Sequence, residues 1–175
     1  RSSDLLGAFD LTSDKDRVIR ALKIMSNKTG LYGMLGGQSV DVENDGKEIS
    51  REMLDYIYEH KTSALIEASM MAGAILGGAD EEQTAQIEKA ASAIGLAFQI
   101  QDDILDVTST SQELGKPVHS DEKNNKVTYV TLFGVEKASE QVQKLSEQAE
   151  TVLEGLSSKN KFLTALVMEM ASRRK

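Results

Sequence analysis

An all-α fold, a bundle of helices, is what this sequence predicts, and three observations predict it. Proline occurs once in 175 residues, strand-type alternation is scarce, and the good helix formers Ala, Leu, Glu, Lys, Gln and Met dominate the composition. With 40% hydrophobic residues the chain can bury a real core, so residues 1–175 read as one all-helical domain. A net charge of −8 argues against nucleic acid as partner, since phosphate-backbone affinity rests on clustered Lys and Arg. The absence of cysteine removes disulfides, thiolate catalysis and sulfur-ligated zinc, and fits a cytoplasmic protein. No apolar run reaches the roughly 18 residues of a membrane span, and no signal peptide is visible.

Leu5, Leu6, Ala8 and Phe9 read as the end of an apolar helix already under way, and with Arg1 in first place they predict a fragment. A helix then starts at Asp14 or Asp16, with Val18, Ile19, Leu22 and Met25 as its buried stripe and Asn27 to Gly30 as its break. The next helix runs from about Gly30 to Val42. It carries Gly33, Gly36 and Gly37, each costing roughly 1 kcal/mol relative to Ala in a helix interior. Either another backbone or a ligand must come close there. Gln38 and Asp41 follow at i, i+3, so their polar ends share one face.

After the polar turn Asn44-Asp45-Gly46, Ser50 is a good N-cap, with Ile49 and Leu54 placed as a hydrophobic staple. Leu54, Ile57, Tyr58, Leu65, Ala68, Ala72 and Ile75 repeat at helical spacing, and Lys61 falls inside their stripe. That lysine either snorkels or aims a cation at an internal site, with the hydroxyls of Thr62 and Ser63 beside it. Gly77-Gly78 ends this helix, and Asp80 with Gln83 forms a capping box for one that continues to about Thr108.

The long helix carries the chemistry. Gly95, Gln99, Asp102, Asp103 and Asp106 fall on one stripe, with apolar residues on both flanks, so the carboxylates must face a cavity, a cation or partner side chains. Asp102 and Asp106 are like charges at i, i+4 near the helix C-terminus, unfavourable on both counts unless a dication binds. Oxygen ligands without nearby His or Cys suit Mg²⁺, with Mn²⁺ possible, and Mg²⁺ commonly joins one or two carboxylates to substrate phosphates. Lys61, Lys116 and Lys126 would complete an anion site, so the composite is a metal-assisted diphosphate site inside a helical bundle.

Thr108 to Asn125 is the longest irregular segment, either a functional loop or a solvated one. Val127 to Phe133 reads as a short helix stopped by Gly134. Ala138, Val142, Leu145, Ala149, Val152 and Leu156 mark another helix, and Phe162, Leu163, Leu166, Val167 and Met170 the last. His60 and His119 read as surface or capping residues, and the seven Met residues as core filler.

Phe98-Gln99-Ile100-Gln101-Asp102-Asp103-Ile104-Leu105-Asp106, followed by Gly115-Lys116, Asp121 and Asn125-Lys126, resembles the second aspartate-rich motif and adjoining loop of the trans-isoprenyl diphosphate synthases. Gly37-Gln38 with Asp41, and Lys61-Thr62, stand at that family's order and spacing, nearest to the bacterial farnesyl or geranyl type. The resemblance implies an all-helical bundle around a central cavity, usually a homodimer, that joins an allylic diphosphate to isopentenyl diphosphate with Mg²⁺. By resemblance Asp102, Asp103 and Asp106 hold the metal, and Lys61, Lys116 and Lys126 contact the allylic diphosphate. Gln99 and Thr62 face the developing carbocation, Phe98 walls the homoallylic side, and Gln38 has a positioning role. Arg173-Arg174-Lys175 either resembles a basic terminus that closes over the site or is a frayed tail.

The family's first aspartate-rich motif and its arginine pair have no counterpart upstream of Asp102. The chain therefore looks like the C-terminal half of such an enzyme, inactive by itself. A non-catalytic regulatory subunit of a heteromeric synthase and a class I terpene cyclase are the alternatives. The Gly-Lys loop and the Lys61-Thr62 pair argue against the cyclase.

Overall fold

The computed structural model describes residues 14–109, 126–156 and 160–173, together with positions 7 and 10. Every regular element among them is helical: α1 Lys15–Thr29, α2 Met34–Glu43, α3 Arg51–Tyr58, a π-helical turn Glu59–Ser63, α4 Ala64–Leu76, α5 Glu81–Thr108, α6 Tyr129–Phe133, α7 Val135–Gly155 and α8 Lys161–Ser172. The expected all-α bundle is what forms.

The starts are chemically determined. The Asp14 carboxylate accepts from the Arg17 amide at 3.2 Å, and the Ser50 hydroxyl accepts from the Met53 amide at 3.3 Å. Asp80 and Gln83 close the capping box reciprocally, at 2.8 and 3.1 Å. A second box, Thr128 with Thr131, starts α6, and Gly134 stops it at φ 82°, a left-handed backbone that favours glycine. The sequence reading did not pick out that threonine pair.

The 28-residue α5, roughly 42 Å long, is the axis. Its C-terminal half packs Ala97, Ile100 and Ile104 against Leu54, Ile57 and Tyr58 of α3 and Ala138, Val142 and Leu145 of α7. Its N-terminal half packs Ile87, Ala90 and Ile94 against Met71 of α4 and Ala149 and Leu153 of α7. Both partners therefore run antiparallel to α5. Ala138, Ala149 and Ala91 are wholly buried, small residues that let the helices approach closely.

Three expected stripes shift. In α1 the buried positions are Val18 and Ala21, facing Ala72 and Ile75, while Ile19 and Met25 are exposed. In α8 Val167 is buried but Phe162 and Leu166 are exposed. In α4 the predicted Leu65 is 41% exposed and Ala64 takes its place inside. Leu65 follows closely on the π turn, and it alone leaves the stripe, since Ala68, Ala72 and Ile75 are buried as expected.

One ionic tie joins three helices. Lys28 Nζ of α1 donates to Glu67 of α4 at 2.5 Å and Glu88 of α5 at 2.6 Å. Burial lowers the Lys28 pKa, but hydrogen bonds and charge from the two carboxylates outweigh it and leave the ammonium harder to deprotonate than usual.

Candidate active site

The π turn between α3 and α4 carries Lys61 and Thr62, and two glycines hold it from opposite sides. A Cβ on Gly37 of α2 would lie 2.5 Å from the Lys61 amide nitrogen and 2.8 Å from His60. A Cβ on Gly95 of α5 would lie 2.6 Å from both Cβ and Oγ of Ser63. The glycine-rich run of α2 thus answers to close backbone packing. The Ser63 hydroxyl donates to the Tyr58 carbonyl at 3.2 Å, an i−5 bond that spans the turn.

Lys61 does not simply snorkel. Its Nζ donates to Asp41 Oδ2 at 2.5 Å, and Lys126 Nζ, from the segment before α6, reaches Asp41 Oδ1 at 3.1 Å. One buried carboxylate on α2 therefore gathers two lysines from distant segments. Burial would raise the Asp41 pKa, but hydrogen bonds from Lys61 and Lys126, and their charges, outweigh it and hold the carboxyl below its usual value of 3.8. A depressed folded-state pKa contributes stability above the unfolded value that disappears as pH falls through the folded one. Urea unfolding followed from pH 6 down to pH 3 should show stability falling below about pH 4, and Asp41→Asn should flatten that part of the profile.

Of the three aspartates at the C-terminal end of α5, two are buried and one is accessible. Asp103, 3% exposed, accepts from the Tyr58 hydroxyl at 2.5 Å and from the Tyr129 amide at 3.0 Å. Asp106 is equally buried. Asp102 is the accessible one, its side chain 31% exposed and paired with Arg173 Nη2 at 2.5 Å. Thr62 Oγ1 donates to Gln99 Oε1 at 2.9 Å, which ties the π turn to α5 one turn before Asp102 and Asp103. Phe98 lies beneath the Arg173 guanidinium, 3.8 Å from its ring centroid. Losing a hydrogen bond to a buried charged group costs about 1.5–3 kcal/mol, so Tyr58→Phe should lower the urea-unfolding free energy by about that much.

A cavity of about 40 Å³ lies among Asp41, Ile57, Tyr58, Lys61, Gln99, Asp103, Lys126 and Thr128, room for a water or two. Gln38 is half-buried on α2 and outside that lining. A larger groove, about 620 Å³, runs between α4, α5, α7 and α8 past Met70, Gly73, Ile87 and Leu153, toward the opposite end of α5 from the carboxylates. Lys116 and His119 lie outside the described residues.

Among the described residues no three His, Cys, Asp or Glu side chains converge as a chelate. The donors nevertheless suit Mg²⁺. Asp102 offers a hard, accessible oxygen, and Mg²⁺ takes few protein ligands and fills its shell with water and phosphate oxygens. Of the site residues expected from sequence, the structure brings Lys61, Thr62, Gln99 and Lys126 together near Asp103, with Asp102 on the adjoining face. Asp41, Tyr58 and Arg173 join them. Asp41 was legible only as a polar neighbour of Gln38, Tyr58 passed as core, and Arg173 as one of two readings of the C-terminal residues.

The family model described as Polyprenyl synthetase matches residues 5–166. Geranylgeranyl pyrophosphate synthase 4 of Arabidopsis thaliana is 41% identical over 174 residues, covering 95% of this chain and 47% of its own. Farnesyl diphosphate synthase of Geobacillus stearothermophilus is 40% identical over 142 residues, covering 77% and 48%. The structure of a Helicobacter pylori geranyltransferase complexed with magnesium and isoprenyl diphosphate superposes with a TM-score of 0.79 at 29% identity, over 97% of this chain and 55% of that one. The chain thus spans about half the length of the relatives it matches. A family match over most of the sequence, on a helical frame shared with solved relatives, makes this chain a member of the polyprenyl synthetase family.

Proposed function

We propose that this chain is the C-terminal half of a Mg²⁺-dependent prenyltransferase that condenses an allylic diphosphate with isopentenyl diphosphate to give short-chain isoprenyl diphosphates. The observation that carries the reading is the lysine pair on Asp41, set beside the Thr62–Gln99 bond on the helix that bears Asp102. Lys61 and Lys126 each keep ammonium donors beyond those that Asp41 uses, and these serve a diphosphate. The Thr62 hydroxyl and Gln99 amide oxygens, oriented by their mutual bond, offer partial negative charge to the allylic cation left when the carbon–oxygen bond breaks. The isopentenyl double bond attacks that cation, and a proton is then lost.

When bound, Mg²⁺ supplies neutralisation of the departing diphosphate. Asp102 is its ligand in this reading, Asp103 and Asp106 stand behind it, and Lys116 adds a further diphosphate contact. Phe98 forms part of a wall, and Gln38 positions.

Ile19, Leu31, Leu35, Val42, Phe162 and the 91% exposed Tyr32 leave apolar surface on α1, on α2 with the turn before it, and on α8. That supports further helices, or a second subunit of a homodimer, packing there. Supply labelled isopentenyl diphosphate with dimethylallyl or geranyl diphosphate to the 175-residue chain and to a polypeptide extended by upstream helices. Turnover is expected from the extended polypeptide alone. Activity in the short chain overturns its incompleteness, and none in either overturns the prenyltransferase reading.

A further inference from the structure

Arg173, the residue that caps α8, is held by three side chains on one turn of α5. Its guanidinium stacks 3.8 Å above the Phe98 ring, and Nη2 donates to Asp102 Oδ1 at 2.5 Å and to the Phe98 carbonyl at 3.3 Å. Its own carbonyl accepts from Gln101 Nε2 at 3.2 Å. Phe98, Gln101 and Asp102 stand at i, i+3 and i+4, so a single face of α5 provides the whole seat.

The seat is imperfect in one respect. Nε of Arg173 is buried without a hydrogen-bond partner. A guanidinium carries five donors suited to forked acceptors, so a resting place that strands one of them is poorly matched. What holds it is Asp102, the carboxylate of the aspartate-rich run that remains accessible. Arg173 holds Oδ1 of Asp102, so a dication arriving at that carboxylate meets a charge already neutralised by the guanidinium, and the two cations repel.

We propose that Arg173 is an internal counter-ion for Asp102 that competes by charge with a divalent cation there, so that metal loading and release of the C-terminal end of α8 are linked equilibria. This rests on Asp102 being a metal ligand. By linkage, the factor by which the clasp weakens the metal equals the factor by which the metal weakens the clasp. The stranded Nε is one of the donors set loose, and it leaves α5 at the step when a diphosphate needs cationic partners.

The test is a Mn²⁺ titration of the 175-residue chain followed by water-proton relaxation, with Arg173→Gln, Arg173→Lys and Asp102→Asn in parallel. A partly exposed ion pair reinforced by stacking corresponds to roughly a three- to tenfold effect. Arg173→Gln is expected to bind Mn²⁺ tighter by that factor, Arg173→Lys to fall between, and Asp102→Asn to lose the binding. Tryptic cleavage after Arg173, resolved by mass spectrometry, is expected to accelerate on saturation with Mn²⁺. Equal affinities for Arg173→Gln and the unaltered chain, with Asp102→Asn weakened, reject the clasp while Asp102 stays a ligand. Binding indifferent to Asp102→Asn rejects the metal assignment and the clasp with it.

Discussion

In the proposed prenyltransferase, Asp102→Asn in the extended polypeptide should lower turnover by roughly two to three orders of magnitude, the usual cost of losing one electrostatic contact to a transition state. The replacement keeps the shape and removes one negative charge at the accessible oxygen. It should hardly touch folding, because the Asp102–Arg173 pair is partly exposed on both sides and such pairs contribute about 0–1 kcal/mol. Asp103→Asn should behave in the opposite sense. Its carboxylate is buried and takes donors from Tyr58 and Tyr129, so the variant should lose about 1.5–3 kcal/mol of stability. Steady-state assays beside thermal melts separate the two neighbours. Turnover of Asp102→Asn within threefold of the unaltered enzyme sinks the metal role.

Gly95→Ala should destabilise the bundle strongly, by about 3 kcal/mol, since a Cβ there would lie 2.4 Å from the Ser63 Cα of the neighbouring turn. The new carbon would overlap Ser63, whose backbone is fixed by the π turn, and neither α5 nor α4 can retreat without opening the core between them. With total stability of about 5–15 kcal/mol for a typical domain, that is a large share. Gly73→Ala is the control. It lies within α4, a Cβ there meets nothing within 4 Å, and the gain in helix propensity should stabilise by about 0.5–1 kcal/mol. Urea midpoints that move in opposite directions for these two glycines bear the packing account out. Equal shifts contradict it.

Much of the fold could be read ahead because it rests on local chemistry. Asp14, Ser50, Asp80 and Gly134 mark helix ends by groups acting within four residues, and the α7 seam from Ala138 to Ala149 follows from period alone. What escaped depends on partners far along the chain. Asp41 meets Lys126 across 85 positions, Tyr58 meets Asp103 across 45 and Arg173 meets Asp102 across 71, distances over which periodicity carries no information. Leu65 differs for a local reason: it sits just after a π turn, which has no reliable sequence signature, while the same period places Ala68, Ala72 and Ile75 inside correctly. The acidic stripe was legible as a group but not its division, because which carboxylate is accessible depends on Tyr58, Tyr129 and Arg173.

The π turn amounts to one extra residue set between two helices that would otherwise run on as one. Removing any one residue from Glu59 to Ser63 would let α3 run into α4 as ordinary α-helix at nearly the same relative rotation, because the wide turn already absorbs the roughly 100° of one extra residue. The change would fall inside the turn, on the positions from which Lys61 reaches Asp41 and Thr62 reaches Gln99. A one-residue deletion here should therefore spare the packing of α3 against α5 yet cost the site its Lys61 and Thr62 contacts, so that the extra residue serves the site and not the frame.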